Sequence, residues 1–420
     1  MKACGIIAEY NPFHKGHHYQ IEQIRKQTDA DVIVVAMSGN FVQRGEPAIE
    51  NKWHRAKMAL ENGADLILEL PTLSSAQATD WFAAGGVGIL HAAKCQEIAF
   101  GVEDTRIDYQ LAFEEWTALQ TRIKEDVTND EMKSLTYASR LSLIAKENFG
   151  ENSPLYRLMQ QPNQQLGFAY VKEILSRNVP MKVLTIERMG NGHLDEVLLE
   201  GQFASGTALR KKLLKSERNP KLYAQLPYLE EFSSVVYRNH WEQYWLLLKY
   251  QLERSSVEEL RNIYQMDEGI EYRLKKILPQ ANSFHDFIQL LKNKRWTWAR
   301  LQRLCLYVLL GITKKQMEKH FESIREPKEV TVLGFNEKGR EYLKAELEKE
   351  NLEISDNTLY EDLGGVWKLE QLNTLREEET EFITNYADSS IETQKNFDNI
   401  YDIMNPSDYK SAQQSMPEIK

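Results

Sequence analysis

The sequence predicts a doubly wound α/β domain built on a parallel sheet, followed by an all-helical domain and a small α/β C-terminal domain. Three observations predict it. Through the first hundred residues, short apolar runs alternate with stretches of helical length. From about residue 220 to 325 the pattern is almost wholly helical. At Val330 a strand-like run returns.

The first strand-like runs are Ala3 to Ala8, Val32 to Met37, Leu66 to Leu70 and Glu97 to Phe100. Continuous apolar runs of this length suit strands buried on both faces, as in a parallel sheet. Gly16 to Lys26, Lys52 to Glu61 and Thr79 to Ala92 lie between them and have helical length. This order implies right-handed crossovers. It places ligands beyond the carboxyl ends of the strands, in the loops Tyr10 to Lys15, Ser38 to Pro47, Pro71 to Gln77 and Gly101 to Asp104. Residues 108 to 178 read as helical with a break near Phe149 to Pro154, and Met181 to Ile186 returns to the sheet. Another helix begins after Gly206. WEQYWLLLKY and RLQRLCLYVLL mark the helical part. VTVLGF (Val330 to Phe335), a helix from Lys338 and a strand at Leu352 to Ser355 make the C-terminal appendage. The expected units are therefore 1–217, 218–326 and 327–420. The polar end, Asn405 to Lys420, is expected to lack fixed structure.

A chain of 420 residues, 42% apolar and 27% charged, has ample length for a core in each unit. No apolar run approaches the roughly 20 residues of a membrane-spanning helix. The N-terminus enters a strand at once, with no signal peptide before it. Cys4, Cys95 and Cys305 are too few and too scattered for a disulfide framework or a zinc site. The expectation is a cytoplasmic protein without a membrane partner or a bound structural metal. The net charge of -10 argues against non-specific coating of nucleic acid, but it hides a local asymmetry. Between His285 and His320 there are eight Lys and Arg, opposed only by Asp286 and Glu318.

The sharpest chemical signal is Asn11-Pro12-Phe13-His14-Lys15-Gly16-His17, directly after the first strand. Pro12 turns the chain, and Gly16 opens a helix whose unpaired N–H groups make a phosphate site. His14 and His17 are three apart, so both imidazoles can serve the same phosphates and donate to a leaving pyrophosphate. The bland alternative is a capped turn with surface histidines. A second signal is Ala204-Ser205-Gly206-Thr207-Ala208-Leu209-Arg210 at a helix start. Ser205 or Thr207 can cap it, and Arg210 can clamp phosphate oxygens. An ordinary N-cap is the alternative. These two motifs resemble the H-x-G-H and I-S-S-T-x-I-R signatures of the nucleotidyltransferase superfamily, with Gly206 in place of the central Ser. Those enzymes are relatives of class I aminoacyl-tRNA synthetases. They attack the α-phosphorus of ATP and expel pyrophosphate.

The resemblance becomes specific in AEYNPFHKGH, MSGNFVQRGEPA, KMALENGADLILELP, KNKRWTWARLQR and VTVLGFNEKGREYL. Together these look like the tRNA(Met) cytidine acetate ligase family, over most of the chain. The resemblance implies an ATP-dependent ligase that makes acetyl-adenylate from acetate and ATP. It then transfers acetyl to N4 of the wobble cytidine of elongator tRNA(Met), giving N4-acetylcytidine. Mg²⁺ would bridge the phosphates, and no protein ligand set for it stands out. The family's ATP site, carried over, covers Ile7, Ala8, Glu9, Tyr10, Asn11, Pro12, Phe13, His14, Lys15, Gly16, His17, His18, Tyr19 and Gln20. It adds Gly101, where adenosine would lie close to the backbone, and Asn163 and Arg188. Ser205 and Thr207 join it as phosphate-side candidates. Asn163 is either a reader of adenine or ribose or a helix cap. Beyond Arg188 the family often carries Tyr-His-Asp, whereas this chain has His193-Leu194-Asp195.

Arg44 in the loop after the second strand is a candidate partner for acetate or the polyphosphate, the alternative being a salt bridge to Glu46 or Glu50. Lys52 and Arg55 are either solvated or phosphate-facing. Lys292, Lys294, Arg295, Arg300 and Arg303 are candidates for tRNA phosphates. Trp296 and Trp298 among them are expected in the core. Two other readings stand beside the ligase. One is a small-molecule adenylyltransferase making a dinucleotide-type cofactor, and the other is a non-catalytic RNA-binding protein.

Overall fold

The computed structural model describes residues 1–122, 137–188, 203–215, 224–227, 239–347, 353–354, 359–362, 365–368 and 397–398. His193-Leu194-Asp195 and the tail from Asn405 lie outside them. The chain begins β1 (Ala3–Ala8), α1 (Lys15–Gln27), β2 (Val32–Ser38), α2 (Lys52–Glu61) and β3 (Leu66–Leu70). A single turn, α3 (Thr72–Ser75), precedes α4 (Thr79–Ala92), β4 (Glu97–Val102) and α5 (Tyr109–Ala118). Then come α6 (Tyr137–Phe149), α7 (Pro154–Leu158), α8 (Pro162–Arg177), β5 (Lys182–Glu187) and α9 (Gly206–Leu214).

The sheet runs β5-β4-β1-β2-β3, with these five strands parallel, in register from Ala3 opposite Val32 to Ala8 opposite Met37. Every residue of β2 and β3 is buried. The pleat explains this, since alternate side chains point to opposite faces. Val32, Val34, Ala36, Leu66 and Leu68 join one core with residues of α4 and α8. Ile33, Val35, Met37 and Ile67 join a second core with residues of α1 and α2. β1 has β2 on one side and β4 on the other, so the chain order reverses there. A crevice at the carboxyl ends of β1 and β4 is the site that such a sheet offers a ligand.

The helical part comprises α10 (Trp241–Arg254), α11 (Val257–Arg261), α12 (Ile270–Ile277), α13 (Phe284–Leu291), α14 (Trp298–Leu310) and α15 (Lys314–Ser323). Its core includes Trp241, Tyr244, Leu248, Phe287, Leu304, Tyr307 and Met317. Phe41, Leu73 of α3 and Ala76, all at the carboxyl edge of the sheet, belong to the same core. Trp241 Nε1 donates to Gly45 O at 2.8 Å, and the Tyr307 hydroxyl donates to Ala76 O at 2.6 Å. The helices therefore sit on the crevice end of the sheet. No helix among the described residues is long and apolar enough to cross a membrane.

After the helices come β6 (Glu329–Val330), β7 (Val332–Phe335), α16 (Glu337–Tyr342), β8 (Glu353–Ile354), β9 (Leu359–Asp362) and β10 (Gly365–Lys368). Here the placement expected from sequence is corrected. β7 does not stand apart in an appendage. It pairs antiparallel with β3 as the sixth strand of the main sheet, Leu66 opposite Phe335 and Ile67 opposite Gly334. Without β7 the outer edge of β3 would carry unpaired backbone groups beside a buried apolar strand, which is costly. Glu69 N instead donates to Thr331 O at 2.7 Å, and Asn336 N to Asp65 O at 3.0 Å.

Candidate active site

β1 ends in a tight turn in which Tyr10 has φ 47° and the Asn11–Pro12 peptide is cis. The turn delivers His14 to the N-cap of α1. The Gly16 N–H donates to His14 Nδ1 at 3.0 Å, and the His14 N–H donates to His17 Nδ1 at 3.2 Å. Each Nδ1 is thus an acceptor, so the proton of each neutral ring is on Nε2. The rings stack at 3.8 Å with 22° between planes. Burial, reinforced by the charges of Arg188 and Arg210, pushes the His14 imidazole down to about 3. His17 is lowered by burial, by His14 and by Arg188. Both rings are therefore neutral Nε2–H donors at physiological pH. They do cap the helix, but they are not surface histidines, since His14 is 7% exposed. Gly16 is required by this packing, because a Cβ there would lie 2.8 Å from His14 Cε1.

The second motif arrives at the same point. Ser205 caps α9 by accepting from Ala208 N at 3.2 Å. A Cβ on Gly206 would lie 3.3 Å from Asn11 O and 4.0 Å from His14 Nε2. The starts of α1 and α9 thus converge, and each brings the partial positive charge of a helix N-terminus, while in α1 the N–H groups of Lys15, Gly16 and His17 are already taken by Gln225 O, His14 Nδ1 and His14 O. Arg210 reaches back to donate to Asn11 O at 2.8 Å and to Thr207 Oγ1 at 3.3 Å, and it lies 3.7 Å from Glu46. This cluster can hold a polyphosphate.

On the β4 flank, Arg188 N donates to Val102 O at 2.9 Å. The Arg188 stem covers Gly101, where a Cβ would meet Arg188 Cγ at 3.2 Å. The small residue at 101 thus makes room for this side chain. Asn163 lies in the first turn of α8 and donates through Nδ2 to Glu103 Oε1 at 2.5 Å, while Gln161 takes the N-cap position. Glu103 also acts on the charge of Arg188, which links the three residues.

On the β2 flank, Glu9 Oε1 accepts from Gln43 N at 3.0 Å. Arg44 is exposed, and among the described residues neither Glu46 nor Glu50 pairs with it. Lys52 and Arg55 are neither solvated nor phosphate-facing. Arg55 is fully buried and donates to Glu50 O, Glu9 O, Ser38 O and Gly39 O, tying the turn after β1 to the loop after β2. Lys52 Nζ lies 2.8 Å from Glu69 and 2.5 Å from Asp398. Asp398 Oδ1 also accepts from Asn40 Nδ2 at 3.0 Å. Sequence reasoning missed this network. Its one local sign is a carboxylate, Glu69, inside the apolar run LILEL.

The rest of the Ile7–Gln20 stretch divides by role. Tyr10 and Phe13 are core residues that meet edge-on at 4.9 Å, and Tyr10 meets His17 at 4.8 Å. Pro12 is buried, and Ile7 and Ala8 pack as partly buried hydrophobics. Gln20 donates to Ala99 O at 3.3 Å, Tyr19 meets Phe203, and His18 turns to Asn62 O at 3.4 Å. Lys15 is exposed. Among the basic candidates, Lys292, Lys294 and Arg295 are exposed. Arg300 is half-buried over the ring of Trp296 at 3.8 Å, and Trp296 is in the core. Trp298 is half-buried against His285. Arg303 is also half-buried, beside Tyr264 and Tyr307, where burial lowers its affinity for a proton.

The described residues contain no group of three His, Cys, Asp or Glu side chains able to hold a metal.

Residues 1–415 match the model of the family described as HIGH Nucleotidyl Transferase. A protein of Anoxybacillus flavithermus named tRNA(Met) cytidine acetate ligase is 38% identical over 386 residues, 89% of this chain and 94% of that protein. One of the same name from Latilactobacillus sakei is 40% identical over 345 residues, 82% of this chain and 84% of that protein. Among solved structures, apo Thermotoga maritima TmcAL superposes with a TM-score of 0.79 at 27% identity, covering 96% of this chain and 95% of that one. The same protein bound with alpha-thio ATP gives a TM-score of 0.75 at 27% identity, covering 96% and 92%.

Proposed function

The chain belongs to the HIGH nucleotidyl transferase family and, within it, to the tRNA(Met) cytidine acetate ligases, and from that premise we propose how its residues divide the reaction. The enzyme joins acetate to tRNA(Met) cytidine at the expense of ATP. In the first step an acetate oxygen attacks the α-phosphorus of ATP and pyrophosphate leaves. The nucleophile is already an anion, so this step needs alignment and charge neutralisation and no base. The Nε2–H groups of His14 and His17, the starts of α1 and α9, and Arg210 receive the leaving pyrophosphate. Adenosine lies on the β4 flank with Gly101, Asn163 and Arg188, and Arg44 serves acetate or phosphate from the β2 flank. In the second step N4 of the wobble cytidine of elongator tRNA(Met) attacks the acetyl carbonyl and AMP leaves. The activating unit is 1–217 with β7 of the 327–420 unit added at its sheet edge, and 218–326 docks the tRNA through Lys292, Lys294, Arg295, Arg300 and Arg303.

One observation carries this reading: two neutral, stacked imidazoles, with no partner for either Nε2 among the described residues, sit where two helix starts meet at a parallel-sheet crevice. The experiment is incubation with labelled ATP and acetate, with and without tRNA(Met). Acetate-dependent pyrophosphate release without tRNA, and acetylated tRNA when it is added, are the expected results. AMP found on a phosphorylated acceptor would identify a small-molecule adenylyltransferase instead. No pyrophosphate release at all would mark a non-catalytic RNA binder.

A further inference from the structure

The second step needs something the first does not. A cytidine amino group is neutral, and once it attacks the acetyl carbonyl its nitrogen must lose a proton. We propose that Glu9 is the general base that takes this proton, an inference that rests on the two-step reading above.

The first argument is elimination among the groups at the crevice. His14 and His17 have no lone pair to offer, because each Nδ1 accepts a backbone N–H and each Nε2 carries the proton. Arg44 and Arg210 are cations. Glu46 faces Arg210 at 3.7 Å and accepts from Gln302 Nε2 at 3.4 Å. Glu103 holds Asn163 through Oε1 and also keeps a buried Oε2 without a described partner, but it lies on the β4 flank, away from the side left to the acceptor. Glu9 has one oxygen fixed by Gln43 N at 3.0 Å, and no described group bonds the other.

The second argument is the direction of approach. Adenosine takes the β4 flank and the phosphates take the centre, which leaves the acceptor the β2 flank. The helical part abuts that flank. A Cβ on Gly45 would lie 2.6 Å from Arg303 N, and Trp241 donates to Gly45 O at 2.8 Å. An RNA held on the basic segment that leads into α14 therefore enters beside the loop that fixes Glu9.

Glu9 is also tuned for the task. Burial raises its pKa above the usual carboxylate range, against the opposing pull of Arg210, the Gln43 N–H and Arg44, and with help from Glu46. Arg55 of α2 donates to its backbone oxygen, and Tyr170 of α8 lies within its field. A carboxylate of raised pKa is a stronger base than a solvated one. The step balances: the N4–carbon bond forms, the carbon–oxygen bond to AMP breaks, AMP departs as its anion, and the N4 proton passes to Glu9.

The test is Glu9→Gln in the full chain, given preformed acetyl-adenylate and tRNA(Met) in single turnovers across pH. Its transfer rate should fall by about 10²–10⁴, the usual worth of a general base. That loss should exceed the variant's loss in acetate-dependent pyrophosphate release by about 100-fold. Wild-type transfer should rise with pH and level off, and the rising limb should vanish in the variant. Glu9→Asp should restore part of the rate and the limb. Equal losses in both steps would overturn the proposal and leave Glu9 as a holder of Gln43. So would a limb that survives in Glu9→Gln. Wild-type enzyme that releases no pyrophosphate yet acetylates tRNA from supplied acetyl-adenylate would defeat the first-step reading and leave this one standing.

Discussion

At the scale of single residues, His14 does two jobs with one ring: Nδ1 caps α1 and Nε2–H faces the crevice. His14→Asn separates them, because Asn is a good N-cap and lacks the ring donor. The variant should fold and lose about 10²–10³ in acetate-dependent pyrophosphate release, the usual cost of one transition-state donor. Stability against pH gives a second readout. The folded pKa of His14 is lowered to about 3, so below its ordinary value of 6.5 the unfolded chain binds the proton that the folded chain refuses. This ring therefore makes folding less favourable as pH falls from about 6.5 towards 3, with no effect above that window. His14→Asn should flatten that part of the profile, as followed by denaturant titration at several pH values. The juxtaposition of His14 and His17 at one helix start was legible in the spacing of the motif. Their tautomers were not, because these depend on which backbone N–H groups the folded turn aims at Nδ1.

At the scale of elements, the loop after β2 is where the parts meet. Gly45 has φ 73° and touches the backbone of Arg303. Gly45→Ala adds both left-handed strain and a backbone clash, so it should lower stability by about 1–3 kcal/mol and push α14 away from the loop. A thermal or denaturant melt checks the first, and a larger loss in transfer than in pyrophosphate release checks the second. At the other end of this interface, Lys292→Glu, Lys294→Glu and Arg295→Glu together should weaken tRNA(Met) binding while pyrophosphate release is retained. Each lost phosphate contact should reduce the slope of log affinity against log salt by roughly one. Filter binding at several salt concentrations measures it, and an unchanged slope would mean that the RNA docks elsewhere. Arg303 is left out of that variant because it is packed against Tyr264 and Tyr307, and reversing it would injure the fold. The basic run was legible in composition. Which of its charges reach solvent was decided by the packing of this segment, where Trp296, just before α14, and Leu301 and Leu304, within it, are buried.

At the scale of the whole molecule, two contacts join the end of the chain to its beginning. Lys52 is buried between Glu69 and Asp398. Lys52→Met leaves Glu69 buried without its cation, which should cost about 3–5 kcal/mol by denaturant titration. β7 seals the edge of β3, so a chain cut at residue 326 should lose soluble yield and pyrophosphate release together, as an independent appendage would not. The sequence by itself determined the alternation of strands and helices, the crevice at the carboxyl ends, and the two motifs at 11–17 and 204–210 that begin helices there. All of these are local, being apolar periods, helix starts and turn residues within a few positions. Only the tertiary structure decided that β7 belongs to the main sheet, that Arg55 and Lys52 are internal ties, and that Glu9 is fixed through one oxygen by the loop after β2. Those are pairings between residues tens to hundreds of positions apart. They are fixed by the need to satisfy every buried charge and backbone group at once, and no window of sequence contains that sum.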